Sequence, residues 1–427
     1  MIGFHRTIAP KGLLGSRFFR TVLLSNLCLQ IGVWVRNFSI LLYVKEQTHG
    51  DSVAVSLIYV AEYAPIFIFS FIGGTFADRW KPKRTMIWCD ILSAFSVFLV
   101  LLALIVGNWH AIFGVTLISA ILSQFSQPSG MRLFKQHLPG EQLQQAMAFF
   151  QSLIAIFMVG GPFLGTLVYT QFGIEASIAV MGTAFLLSAA VLLRLPCDIV
   201  SKPDGTAGRH FWRELAEGFR FVWRSPVLRT LGALFSLAGL SIGISQALNI
   251  FIVTERLHQP DEYLSFLLAT NGIAMLFGAG WIGAVAKKVT PQILIALGML
   301  TSGVVTLIIG FSTSLPLTLA SQFVGGLVFP AFQVGIMTMV LQGSDQAFVG
   351  RVNGVLNPTF TGGMVVMLLI AGFLKKIMPL PYIYALSSVL MIAGALVLVP
   401  LIQRPVPASS RQAAEHSGTD APNQPFE

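Results

Sequence analysis

The chain has 427 residues, of which 55% are hydrophobic and 11% charged, and its mean hydropathy is +0.76. Soluble proteins carry roughly 25% charged residues, so this composition excludes a soluble globular domain. The net charge of +9 would suit a nucleic-acid binder, but its placement along the chain follows membrane topology instead, and no nucleic-acid partner is expected.

Crossing a bilayer takes about 20 apolar residues in a helix. Twelve such spans are predicted, at about 18–44, 53–76, 85–107, 111–130, 143–170, 174–195, 227–254, 263–286, 291–311, 315–341, 350–374 and 381–402. The loops between them alternate in charge. The start of the chain holds Arg6, Lys11, Arg17 and Arg20. The loop after span 2 sets four bases against Asp78, net +3, and the central segment 194–229 sets seven bases against four acids, also net +3. The intervening loops lean acidic: Lys45 with Glu46 and Asp51, then Glu175, then Arg256 with Glu255, Asp261 and Glu262. Basic loops stay cytoplasmic, so both termini are expected there. Lys375 and Lys376 fall on the opposite side and read as snorkelling from the end of span 11. The first apolar run is too long for a signal-peptide core and is expected to remain as an anchor. Cys28, Cys89 and Cys197 are scattered without metal-ligand spacing, so neither a disulfide nor a metal site is expected.

The spans divide six and six. The expected organisation is a cytoplasmic N-terminus (1–17), a first bundle (18–195), a linker (196–226), a second bundle (227–402) and a disordered cytoplasmic tail (403–427). Trp212, Leu215, Phe219 and Val222 share one helical face in the linker. They predict an amphipathic helix at the membrane interface, with a plain solvated linker as the alternative. Shifted by 209 residues, Gly74–Pro82 lies over Gly283–Pro291 with three identities in nine positions, consistent with a parallel repeat of two bundles.

Polar residues follow a second pattern. Spans 3, 6 and 12 contain no Asn or Gln and span 9 has only Gln292 in its first turn, whereas spans 1, 4, 7 and 10 all carry amides further in. Amides are costly in lipid and face protein or water. An inner ring (1, 4, 7, 10) and a lipid-facing ring (3, 6, 9, 12) are therefore predicted. Candidate cavity residues are Asn26, Gln30 and Asn37 on span 1, Gln246 and Asn249 on span 7, and Gln322 and Gln333 on span 10. Helix–helix hydrogen bonding without a cavity is the alternative.

Two charges lie deep, Arg36 in span 1 and Glu62 in span 2, each about 12–14 Å below the outer edge at ~1.5 Å per residue. An ion pair is predicted. Glu62 is the candidate proton-coupling site with Arg36 as its partner, the alternative being a permanent structural pair. Arg36 lies roughly 100° around the helix from Asn37, so the two are expected to point in different directions. Asp90, near the start of span 3, is expected to partner the basic loop.

That loop carries the most specific motif, Gly73-Gly74-Thr75-Phe76-Ala77-Asp78-Arg79-Trp80-Lys81-Pro82-Lys83-Arg84. It resembles the signature between helices 2 and 3 of the major facilitator superfamily, with Lys81 at a position that is commonly glycine. The resemblance implies that Asp78 latches the two halves on the cytoplasmic side, aided by Gly74, Arg79, Lys83, Arg84 and Asp90. Gly160-Gly161-Pro162-Phe163-Leu164-Gly165 resembles the core of the superfamily's antiporter motif. Phe157 and Thr166 stand there in place of glycines, while Gly161, Pro162 and Gly165 would allow a bend and close packing. Span 4 lacks the frequent intramembrane arginine. Ala77–Trp80, Gln127–Gly130 and Glu217–Pro226 resemble the bacterial branch that contains macrolide-efflux and enterobactin-export proteins.

The expected fold is an all-α membrane protein of twelve transmembrane helices in two pseudo-symmetric six-helix bundles. The resemblance implies a monomeric, multi-pass transporter of the bacterial cell membrane that exports hydrophobic or amphipathic small molecules, driven by proton entry. Lysophospholipid or siderophore translocation is the alternative, and a non-transporting sensor or scaffold is the alternative of another class. No cofactor is expected, there is no nucleotide-binding Gly-x-x-x-x-Gly-Lys motif, and an enzyme is not expected.

Overall fold

The computed structural model describes residues 15–77, 80–195, 211–286, 288–343 and 349–402. Its helices are α1 (Arg17–Gln47), α2 (Ser52–Ala77), α3 (Pro82–Ile105), α4 (Ala111–His137), α5 (Gly140–Leu193), α6 (Phe211–Arg224), α7 (Pro226–Phe251), α8 (Tyr263–Val285), α9 (Pro291–Phe311), α10 (Leu315–Gly343), α11 (Val349–Ile377) and α12 (Leu380–Ile402). Below, the face at which α1 starts is called proximal and the opposite face distal.

Eleven of these helices are long and apolar enough to cross a membrane. One of them crosses twice. At 1.5 Å per residue the 54 residues of α5 would reach ~80 Å, against ~30 Å of hydrocarbon. The chain breaks at Gly173, whose φ of 78° and ψ of −175° suit only a residue without a Cβ. Both limbs return to the same stretch of α1. A Cβ on Gly165 would sit 2.7 Å from the Trp34 carbonyl oxygen, and one on Gly32 would sit 3.0 Å from Ala184. The predicted spans 5 and 6 are thus the two legs of one broken helix.

The two halves repeat neighbour for neighbour. In the first, α1 packs on both limbs of α5, α2 on α4, and α3 on α4 and the second limb. In the second, α7 packs on α11 and α12, α8 on α10, and α9 on α10 and α12. The shift of 209 holds in detail. Ser16 caps α1 by accepting from the Phe19 N–H, and Ser225 caps α7 by accepting from the Leu228 N–H. Pro82 and Pro291 open α3 and α9, where a missing N–H costs nothing.

Helices α3 and α9 also expose matching apolar stripes, Trp88, Ile91, Phe95 and Leu102 on one, Leu297, Leu300, Val304 and Phe311 on the other. Such stripes are apolar but for the Trp88 indole N–H and suit lipid. The halves meet chiefly through α2 against α11 and α5 against α8. That leaves α3, the second limb of α5, α9 and α12 outermost, where the scarcity of amides predicts them.

The linker helix α6 is present, with its apolar side divided. Val222 is buried in a cluster with Leu228, Leu231, Val352 and Leu356. Phe219 and Trp223 are exposed and stacked at 5.9 Å, so they can rest in the membrane interface. Trp212 and Leu215 lie outside the side chains described, as do residues 1–14 and 403–427 altogether. Helix α2 continues through Gly73 and Gly74 to Ala77, so the glycine pair belongs to its last helical turns.

The α1–α5 contact is the tightest test of this packing. Gly161 and Pro162 are buried beside it, and a Cβ at Gly161 would collide with the Trp34 ring. Gly165→Leu is expected to force the two helices apart at a cost of about 1–3 kcal/mol or more. A thermal melt of the purified protein should show a clearly lowered midpoint, with Gly160→Leu, which faces open space, close to wild type.

Candidate functional site

Helices α1 and α2 run antiparallel and bring three polar side chains to one point. Arg36 lies eleven residues before the end of α1, and Glu62 ten residues after the start of α2. That is ~16 Å below the distal ends, near the middle of a ~30 Å hydrocarbon layer. One Arg36 Nη donates to Glu62 Oε1 at 3.3 Å, and Asn37 Nδ2 donates to the same oxygen at 3.1 Å. The Arg36 Nε donates to Asn37 Oδ1 at 2.8 Å, which closes a triangle. The side chain of Arg36 is 5% exposed and that of Glu62 17%. The guanidinium is therefore sealed in while the carboxylate keeps an opening to the interior. The expected ion pair is present. The expected divergence of Arg36 and Asn37 is not, because the long arginine stem bends back across its neighbour and both converge on Glu62.

A cavity of about 330 Å³ lies inside the first half. Asn26, Gln30, Arg36, Glu62 and Asp90 line it, with Ser119, Ser123 and Gln127 of α4. Asn26 and Gln30 of span 1 and the polar groups of span 4 thus reach a cavity, whereas Asn37 bonds Glu62 and does not line it. The second half uses its amides differently. Asn249 accepts from the Tyr384 hydroxyl at 3.0 Å, and Gln322 accepts from Asn271 Nδ2 through its backbone carbonyl at 3.1 Å. Gln246 is half-buried and Gln333 exposed, and neither lines this cavity. Asn249 thus serves helix–helix bonding through its side chain and Gln322 through its backbone.

The latch residues separate. Asp78 and Arg79 lie outside the described residues. Asp90 does not turn toward the basic loop: it is 3% exposed and accepts from the Ser188 hydroxyl at 2.6 Å. Ser188 in turn meets Ser25 at 2.8 Å, so the chain Ser25–Ser188–Asp90 ties α1, α5 and α3 together. The reason is position, since residue 90 falls on the buried face of α3 and not on its exposed stripe. Lys83 donates to the carbonyl of Leu193 at 3.1 Å and also bonds that of Leu195. It thereby caps the negative end of the second limb of α5. Arg84 is exposed.

The distal ends are sealed by groups that span the halves. Lys45 pairs with Asp261, and Lys376 pairs with Asp51 at 3.0 Å. Ser52 donates to the Gly372 carbonyl at 2.8 Å, and buried Thr166 and Ser265 share a hydrogen bond of 2.8 Å. These four cross-half contacts all lie at this end. Lys375 binds Glu255 at 2.7 Å and covers the Phe251 ring. Lys375 and Lys376 are therefore not simply snorkelling; they neutralise acids on their own face, which explains why the loop-charge pattern tolerates them. Sequence reasoning missed Thr166 as a bridge, although its standing in place of a glycine was the available signal. The distal ion pairs gave no local signal, because their partners lie 216 and 325 residues apart.

Two six-crossing bundles of matching topology, closed at one end around a polar interior, define a membrane transport fold. The chain belongs to the Major Facilitator Superfamily, whose family model matches residues 22–260 and 237–426. It is 28% identical over 336 residues to the multidrug efflux pump Tap of Mycolicibacterium fortuitum, covering 76% of this chain and 81% of the relative. It is 23% identical over 376 residues to macrolide efflux protein A of Streptococcus pyogenes, covering 85% and 90%. The crystal structure of the nucleoside transporter NupG superposes with a TM-score of 0.71 at 14% identity, over 91% of this chain and 100% of that one.

The seal has a defined pH response. Burial alone would raise the Asp51 carboxyl, but the Val53 N–H and the Lys376 ammonium outweigh it and hold the group below its ordinary value of 3.8. A depressed acid supports the closed state above its ordinary pKa and loses that support as pH falls through the lowered value. Spin labels at Gly50 and His258 should therefore report the same distal distance from pH 5 to 8 and a widening only below about pH 4. Asp51→Asn should remove that acid response.

Proposed function

We propose that this protein is a proton-coupled exporter of hydrophobic or amphipathic small molecules that works by alternating access, with Glu62 as the coupling site. The observation that carries the reading is the Arg36–Asn37–Glu62 triangle, at mid-depth, with its carboxylate open to the interior. The efflux pumps among the relatives support the direction. The proximal face is assigned to the cytoplasm of a bacterial cell from the loop charges, so the closed distal face is the outer one. The working unit is one chain without a cofactor, and the proton gradient supplies the drive.

The triangle sits where a change of protonation reaches the seal. Neutralising Glu62 leaves Arg36 buried without its counter-charge, which costs several kcal/mol. The pair can relieve that cost only if α1 and α2 move against each other. The same two helices carry Lys45 and Ser52 at their distal ends, and Asp51 lies between them. Phe38, Leu41, Leu42 and Val55 also pack in one apolar cluster with α7 and α11 residues. A shift at mid-depth therefore loosens the contacts that close the outer face.

The test is flux in proteoliposomes under an imposed pH gradient, with fluorescent drugs and macrolides, comparing wild type with Glu62→Gln. Gradient-driven transport that the substitution reduces by at least about tenfold is the expected result. Unchanged transport in Glu62→Gln would make the triangle a structural pair, and absence of flux for every compound would overturn the export reading.

A further inference from the structure

The cavity in the first half contains one acid that the coupling triangle does not use. Asp90 is nearly fully buried, and its hydrogen-bond partner among the described residues is the uncharged Ser188 hydroxyl. The other charged groups lining the cavity are Arg36 and Glu62, which are already bonded to each other. The titratable neighbour Cys89 is buried beside them, and the lining residues of α4 are hydroxyl, amide and apolar side chains without charge. With Arg36 and Glu62 cancelling, an ionised Asp90 leaves the cavity one negative charge in excess.

Two acceptor atoms also lack partners. Asn26 Oδ1 and Ser119 Oγ are buried and make no hydrogen bond, and both residues line the same cavity. Ser119 as a whole is 5% exposed. A buried polar atom left unpaired is costly, and a ligand that donates hydrogen bonds removes the cost.

We infer that this cavity is a binding site for the ammonium group of an amphipathic amine, with Asp90 as its counter-charge and Asn26 and Ser119 as further acceptors. A buried carboxyl without a cation is neutral. It gives up its proton when the ammonium arrives, and one proton leaves for one cation bound. Glu62 keeps Arg36 while the amine binds, so in the binding step the proton and the amine compete at Asp90. The inference rests on the export reading for the fate of the amine, but binding itself is measurable without flux.

The test uses the purified full chain in nanodiscs and two fluorescent probes, dansylcadaverine and its N-acetyl derivative, which lacks the charge. Wild type is expected to bind the amine more tightly as pH rises from 5.5 to 8.5 until Asp90 is ionised, releasing one proton per amine at the acidic end. The acetylated probe should bind at least about tenfold more weakly and without pH dependence. Asp90→Asn should lose the amine preference and the proton release, while Asp90→Glu retains both. Should Asp90→Asn fail to fold, Ser119→Ala decides: amine affinity should fall a few-fold with an unchanged or raised melting midpoint. Equal binding of the two probes to wild type, or undiminished amine binding by a folded Asp90→Asn protein, would overturn the inference. Wild-type binding measured without a gradient separates it from the export reading: charge-selective amine binding with no gradient-driven flux would sink export alone, and flux without a preference for the charged probe would sink this inference alone.

Discussion

A charge inside hydrocarbon has to find its counter-charge within the protein, and Arg36 finds Glu62. This requirement organises more than one contact. It fixes the depth at which α1 and α2 face each other, because two residues near mid-membrane on antiparallel helices meet only in one register. It also draws in Asn37, whose amide can at once donate to the carboxylate and accept from the guanidinium. The register so fixed sets Lys45 and Asp51 at the distal end, where they reach Asp261 and Lys376 of the other half. A lone charge at the same depth would either be excluded from the membrane or bring water in with it.

The repeat is close in backbone and unequal in chemistry. Capping serines, opening prolines, lipid-facing stripes and helix neighbours all coincide at the shift of 209 residues. The polar interiors do not. Asn249 and Gln322 are used between helices, as are Ser241 and Ser387, whose hydroxyls lie 2.6 Å apart. In the first half, Asn26, Gln30 and the α4 hydroxyls turn to a cavity that also holds two acids and an arginine. Polar bonds of the second kind stabilise helix packing by about 1 kcal/mol or less each in membranes. Unpaired cavity acceptors of the first kind are kept only where something else occupies them.

Most of the fold was legible because the membrane simplifies the code. Long apolar runs, alternating loop charge and the scarcity of amides in every third span each report a single physical demand, that polar groups avoid lipid. The Arg36–Glu62 pair was legible for the same reason, since equal depth on neighbouring helices leaves few partners. The remainder depends on which way a side chain turns. Helical phase placed Arg36 and Asn37 about 100° apart, yet a long side chain folds back over that angle. Asn249 carries the same amide as Asn26, and only the presence of Tyr384 opposite separates a packing residue from a cavity residue. Asp90 looked like a companion of the basic loop because sequence distance is small there, whereas the face of α3 on which it sits decides its partner.

On the proposed reading both ionisable sites lie within one half, and the seal lies between halves. A group that titrates inside a rigid bundle changes no contact outside it unless a helix of that bundle also carries part of the seal. Helices α1 and α2 meet that condition, holding Arg36, Asn37 and Glu62 at mid-depth and Lys45 and Ser52 at the rim. Asp90 sits instead on α3, which packs on α4 and α5 of its own half. The two acids are thereby suited to different tasks. Charge exchanged at Asp90 alters what the cavity holds, and charge exchanged at Glu62 alters whether the outer face stays shut.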